Sequence, residues 1–196
     1  MALPHLALPK SRHERETMAG DIAEDVARLA ATRGVKLVLI GAHAANLYTG
    51  KPRSSKDVDF IADKPEALGE LEGLKRELHD DVVRYVDENG HEVIDLLRPH
   101  PPLFKHVLST TTQHGPFFVP SLEMMLGLKF FAMVNPRREW EDRNQDALDF
   151  TRIVRHNKTS LDRKAVAAIG ELVYAGGADE MLGYVDDALA GRQIIL

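Results

Sequence analysis

Val38-Leu-Ile-Gly-Ala-His-Ala-Ala-Asn-Leu-Tyr-Thr-Gly-Lys-Pro-Arg-Ser-Ser-Lys-Asp-Val-Asp-Phe-Ile-Ala62 holds the most informative pattern in the chain. An apolar strand runs into Gly41 and a short helix, a basic turn follows, and a second strand carries carboxylates at Asp57 and Asp59. Residues two apart on a strand share a face and lie about 6.5–7 Å apart along it. Carboxylates held that close repel each other unless a cation lies between them. A hard divalent ion with oxygen ligands, such as Mg²⁺ or Mn²⁺, meets that need. The pattern points to metal-assisted phosphoryl or nucleotidyl transfer.

A third acid strengthens the pattern. Asp95 stands in Val93-Ile-Asp-Leu-Leu97, a strand that is otherwise apolar. A carboxylate buried there without partners would cost several kcal/mol. If this strand neighbours the one bearing Asp57 and Asp59, three carboxylates meet, enough for a two-metal site acting on an in-line displacement. Upstream, Gly41 and Ala42 form a strand-to-helix corner, where backbone N–H groups and the positive helix end suit an anion. Arg53, Ser54 and Ser55 stand just before the carboxylates, placed to touch a triphosphate. A packing corner and a solvated basic loop are the plainer readings of those two segments.

Elsewhere the chain alternates strands and helices. Ile22, Val26, Leu29 and Ala30 predict a helix from about Glu14 to Thr32, with Gly34 as its stop. Lys36–Ile40 reads as a central strand and Ala42–Leu47 as a short helix. Leu68, Leu71, Leu74 and Leu78 predict a helix over Pro65–Leu78. Val82–Val86 and His91–Leu97 flank Asn89-Gly90, a strong hairpin signal. A short apolar piece, Phe104–Leu108, and a strand, Phe117–Val119, precede a change to helix. Leu122–Val134, Glu139–Val154, Leu161–Tyr174 and Glu180–Leu189 read as helices, with Ser121 and Asp179 as N-caps. Trp140 and the phenylalanines at 117, 118, 130 and 131 read as core, and the apolar tail Arg192–Leu196 as packed back on it. The expected outline is α+β: a nucleotide-handling core with an N-terminal helix over 1–120, and a helical section over 121–196.

Composition narrows the function. A formal net charge of −5 argues against a dedicated nucleic-acid scaffold but leaves room for an RNA held by a local basic patch. Arg137, Arg138, Arg143, Arg152 and Arg155 are the candidates for one. The absence of cysteine rules out disulfides, thiolate metal sites and cysteine nucleophiles. The histidines lack the compact spacing of a zinc site. The N-terminal residues have neither the basic start nor the unbroken apolar run of a signal peptide. With no stretch of about 20 apolar residues, the chain reads as soluble and cytoplasmic, with no membrane partner.

These motifs together resemble the DNA polymerase β-like nucleotidyltransferase superfamily. The residues that carry the resemblance are Gly41-Ala-x-Ala44, then Arg53-x-Ser-x-Asp57-Val-Asp59, then Val93-Ile-Asp95-Leu. The helical half, with Lys129 and Asp146-Ala-Leu-Asp149, is similar to the AbiEii-type toxin nucleotidyltransferases. The resemblance covers about residues 36–155. It implies a small mixed sheet flanked by helices, and transfer of an NMP from an NTP to an RNA, protein or small-molecule acceptor. It implies metal ligation by Asp57 and Asp59, with Asp95 as third ligand or general base. Lys129 would contact phosphates, Asp146 would orient Lys129, and Arg137 would help grip the nucleotide. Partners implied are a nucleoside triphosphate, tRNA or another RNA, and, for a toxin, a separate antitoxin protein. The sequence departs from the superfamily at Ala42, where glycine or serine is usual. A nucleotide- or partner-binding module without catalysis is the alternative reading, and a metal-dependent phosphohydrolase a third.

Overall fold

The computed structural model describes the backbone of residues 12–196 and the side chains from residue 22 onward. The segment before residue 12, read above for a signal peptide, lies outside the described residues. Seven strands form one mixed sheet in the order β3-β4-β5-β2-β1-β7-β6. Its centre is β1 (Leu37–Leu39), β2 (Val58–Ala62) and β5 (Glu92–Leu97). β2 runs antiparallel to β1 and parallel to β5. Leu37, Val38 and Leu39 are all buried, as an apolar run without alternation requires of a strand covered on both faces.

The hairpin signal at Asn89-Gly90 is realised. β4 (Val82–Val86) pairs antiparallel with β5, and β3 (Lys75–Leu78) adds on outside it. A short hairpin of β6 (Thr112–His114) and β7 (Phe117–Val119) completes the other edge, with β7 parallel to β1. Sequence spacing pointed to β7 but not to β6, whose three residues are all exposed and carry no apolar signal.

Two expectations are overturned here. Residues Pro65–Leu78 do not form one helix: a 3₁₀ turn over Pro65–Leu68 ends at Gly69 (φ 66°), and Leu71 bridges Leu74 around Gly73 (φ 78°). Glycine enters that left-handed region without penalty, so the two turns break the helical period. Leu68 and Leu71 still reach the core, whereas Leu78 is 59% exposed on the edge strand. Asp179 is not an N-cap either. The last helix starts earlier, at Gly177, which leaves Asp179 and Glu180 inside its first turn, where their charge favours the helix dipole.

The seven helices are α1 (Arg12–Thr32), α2 (Gly41–Ala45), α3 (Pro102–Ser109), α4 (Leu122–Val134), α5 (Trp140–His156), α6 (Arg163–Val173) and α7 (Gly177–Leu189). Ser121 caps α4 as predicted, its hydroxyl accepting from the Met124 N–H at 3.2 Å. Asp162 caps α6 by accepting from Lys164 and Ala165 N–H. One apolar core takes in residues of α1, the sheet and α3–α7, and Ile194 of the tail joins it. Phe130 lies in that core, but Trp140, expected there, is 66% exposed, and Phe118 sits at the surface beneath the Lys36 ammonium. Two polar ties fasten the helical section to the sheet side: the Tyr48 hydroxyl donates to the Pro120 carbonyl (2.6 Å), and the Asn157 amide to that of Tyr48 (2.7 Å). No helix among the described residues is long and apolar enough to cross a membrane.

α6 and α7 meet backbone to backbone. A Cβ on Gly177 would fall 2.4 Å from the Gly170 carbonyl oxygen, and one on Gly170 would fall 2.7 Å from that of Gly177. Neither neighbour is a side-chain tip that can swing away. Gly177→Ala is therefore expected to destabilise the protein by about 1–3 kcal/mol in urea unfolding, whereas Gly183→Ala, with open space around it, is expected to be neutral or stabilising.

Candidate functional site

One face of the sheet carries a row of charges. Asp59 on β2 is the register partner of Asp95 on β5, which is in turn the partner of Arg84 on β4. Side chains of register partners project to the same face, so the three stand side by side. Asp57, two residues before Asp59, shares that face; its carboxylate accepts from the Ser55 hydroxyl at 2.8 Å. The opposite-facing residues Val58, Phe60, Ile94, Leu96, Val83 and Tyr85 are fully buried and pin the register.

Gly41 is fixed by this arrangement for a reason different from the one its sequence position suggests. Its φ is +62°, and a Cβ there would lie 1.9 Å from Asp59 Oδ2. The missing side chain makes room for the Asp59 carboxylate itself. Burial above all, followed by the charges of Asp57 and Asp95, pushes Asp59 up to about 7, against a weaker opposing pull from Lys129 and Arg138. Asp59 is thus a carboxylate short of positive charge.

Asp95 has found its counter-ion. Arg84 donates to it as a fork, Nε to Oδ1 at 2.8 Å and Nη2 to Oδ2 at 2.7 Å, and its Nη1 meets Glu92. Sequence reading missed Arg84. A one-residue bulge shifts the register between Tyr85 and Val86, so the count from the Asn89-Gly90 turn does not bring Arg84 opposite Asp95. The lone arginine in Val82-Val-Arg-Tyr-Val86 was the available signal.

Across from the sheet, α4 and α5 bury a second charged cluster. Lys129 is 3% exposed, and its ammonium donates to Asp146 Oδ1 (2.8 Å) and Asp149 Oδ2 (2.9 Å). Asp149 also accepts from Gln145 Nε2 (3.0 Å) and from Arg53 Nε (3.1 Å), the latter reaching over from the loop before β2. Asp146 Oδ2 has no hydrogen bond, though Arg138 Nη2 lies 3.2 Å away in an ion pair of poor hydrogen-bond alignment. Asp149 emerges as the hub, where sequence spacing had offered Arg143 and Arg152 as its partners. Arg152 stands 3.9 Å off, and Arg143 is spent on the Met133 carbonyl.

Between the two clusters lies a cleft of about 990 Å³. Gly41, Ala42, Arg53, Ser55, Asp57, Asp59, Asp95, Lys129, Asp146 and Arg137 all line it, as do Arg84 and Arg138. Of the residues singled out in the sequence only Ser54 does not; it is exposed to solvent. His43 lies off the cleft lining, its buried Nε2 has no partner, and burial lowers its pKa, so it stays neutral. The proposed basic set is not a single patch, because Arg155 donates to the Ala188 carbonyl and Arg143 to that of Met133. The donor set fits a hard divalent cation at Asp57 and Asp59, two hard oxygen ligands with unmet negative charge. Among the described residues no three Asp, Glu or His side chains are arranged to hold one ion together.

Solved structures share this fold. An antigenic nucleotidyltransferase-like protein from Paracoccidioides brasiliensis superposes with a TM-score of 0.52 at 15% identity, over 96% of this chain and 97% of its own. JHP933 from Helicobacter pylori gives 0.53 at 14% identity, over 94% of both chains. A proposed nucleotidyltransferase from H. pylori gives 0.51 at 14% identity, over 92% of this chain and 96% of its own. No protein-family model matches the sequence, and no curated protein matches it either. The chain therefore has a nucleotidyltransferase-like α+β fold, shared over nearly its whole length.

Two outcomes follow from the charges. An acid whose folded pKa exceeds its unfolded value of about 3.9 keeps a proton that the unfolded chain has already released, so stability falls as the pH rises between the two values. For Asp59 that window runs from the ordinary carboxylate range up to about 7. In thermal melts with chelator present, Asp59→Asn is expected to gain on the wild type as the pH climbs through this window and to hold a constant lead above it. A lead independent of pH would show that Asp59 ionises normally. Lys129→Met leaves Asp146 and Asp149 without their shared cation and is expected to cost about 3–5 kcal/mol in urea unfolding.

Proposed function

We propose that the protein is a metal-dependent nucleotidyltransferase that moves an NMP from an NTP to an acceptor hydroxyl. The observation that carries this reading is the electron-rich trio Asp57, Asp59 and Asp95 on one wall of a cleft whose other wall is cationic. Bound there, Mg²⁺ would neutralise charge on the reacting phosphate and on the departing pyrophosphate.

The chain's own residues supply the rest. Asp57 and Asp59 hold the cation, and Ser55 fixes the orientation of Asp57. Lys129 uses two of its three N–H donors on Asp146 and Asp149, which leaves the third to meet a phosphate oxygen. Asp146 and Asp149 thus hold the ammonium at one fixed point, so no rotamer entropy is lost when phosphate arrives. Arg137, exposed at the rim and with no acid partner among the described residues, is the group best placed to grip the triphosphate tail. Asp95 accepts the proton of the incoming hydroxyl, since each of its oxygens keeps a lone pair after the Arg84 fork is made.

The acceptor is an RNA, a protein hydroxyl or a small molecule. A toxin role with a separate antitoxin rests on the AbiEii-type resemblance alone. A second reading, a nucleotide-binding module without catalysis, is favoured by one feature: the engagement of Asp95 by Arg84.

The test is a transfer assay with each α-labelled NTP, Mg²⁺ or Mn²⁺, total tRNA and cell lysate. Label is expected in one acceptor class and is expected to vanish, by at least about a hundredfold, in Asp57→Asn and Asp59→Asn. Binding of metal and NTP with no label transferred to any acceptor would support the non-catalytic reading instead.

A further inference from the structure

We infer that Arg84 is a built-in counter-cation of the carboxylate row, so that the site takes one divalent ion rather than two. The inference deepens the proposed metal-dependent function and rests on it. It begins from the register. Arg84, Asp95 and Asp59 are successive cross-strand partners on one face, and Asp57 adjoins them on β2. Three carboxylates bring three negative charges. The guanidinium removes one, and the remaining two equal the charge of a single Mg²⁺ or Mn²⁺. A second divalent ion would leave the row with net positive charge and would have to displace a bidentate arginine fork, the most specific geometry available to a carboxylate.

The surroundings agree with that balance. Asp95 is the less exposed member of its pair, at 13% against 28% for the Arg84 side chain, so solvent screens the contact only in part. Arg84 is itself held from behind by Glu92, which keeps the fork aimed at Asp95. Asp59 has no such partner. The positive groups acting on it, Lys129 and Arg138, do not offset burial and the charges of Asp57 and Asp95. The need for a cation is therefore concentrated at Asp57 and Asp59, and Asp95 is already served. This explains why no three acidic side chains are arranged around one point. Arg84 touches no reacting atom in this scheme; it is a positioning residue that sets the metal count.

The measurement is a Mn²⁺ titration of the full-length protein without nucleotide, with free Mn²⁺ read by electron paramagnetic resonance. The wild type is expected to bind about one ion per chain, and Arg84→Met, which keeps the stem but loses the charge, about two. Arg84→Lys restores the positive charge and is expected to return the count to about one. Asp95→Asn provides an arm that does not depend on how well Arg84→Met folds: it is expected to retain the single ion, because Asp95 is not one of its ligands. Equal counts in the wild type and Arg84→Met, or loss of the ion in Asp95→Asn, would overturn the role given to Arg84. Absence of Mn²⁺ binding from every variant would overturn the metal-dependent function on which it rests. Retention of Mn²⁺ by Asp57→Asn/Asp59→Asn would place the ion elsewhere and overturn both.

Discussion

Burying Lys129 between Asp146 and Asp149 takes three charges out of water, at an effective penalty of several kcal/mol per ion. The cost is tolerable because the geometry leaves few charges unmatched. The ammonium meets both carboxylates, Gln145 and Arg53 complete the shell of Asp149, and Arg138 stands by Asp146. The reach of Arg53 matters most for the architecture. It comes from the loop that delivers Asp57 and Asp59, and its own backbone is clamped to Asn46 by a reciprocal pair of hydrogen bonds. One ion network therefore sets the distance between the sheet wall and the helical wall of the cleft. The catalytic reading depends on that spacing, because a phosphate has to touch both walls at once.

The sheet wall follows the opposite logic. Where α4 and α5 over-satisfy their buried charges, the centre of the sheet leaves Asp59 under-satisfied. Apolar neighbours explain how the fold can hold it there. Val58 and Phe60 face the other way into a fully buried layer, and slipping the strand by one residue would exchange them with the acids. Gly41 gives the carboxylate its place against the backbone. Local strain of this kind is expected where a ligand contributes the missing interaction.

Much of this was legible in the sequence, for identifiable reasons. The buried strand, the acidic alternation on β2, the Asn89-Gly90 hairpin and the Ser121 cap are local patterns, and local patterns survive folding. The misreadings came where two rules compete. Four leucines at helical spacing over residues 65–78 were overruled by Gly69 and Gly73, whose positive φ angles turn the chain twice. Arg84 and the central role of Asp149 were illegible because both depend on partners that only register or helix packing supplies: a single bulge in one case, an arginine 96 residues away in the other.

The exposed indole of Trp140 has an experimental use. It is the chain's one tryptophan, and in sequence it stands between Arg138 and Asp142, both of which line the cleft. Its emission is therefore a native optical reporter of events at the rim, free of background from any other indole. Because the chain also has no cysteine, a single one introduced on the sheet wall would accept a thiol dye in a unique position. Energy transfer between the two would then record the width of the cleft in solution, without altering any residue that lines it.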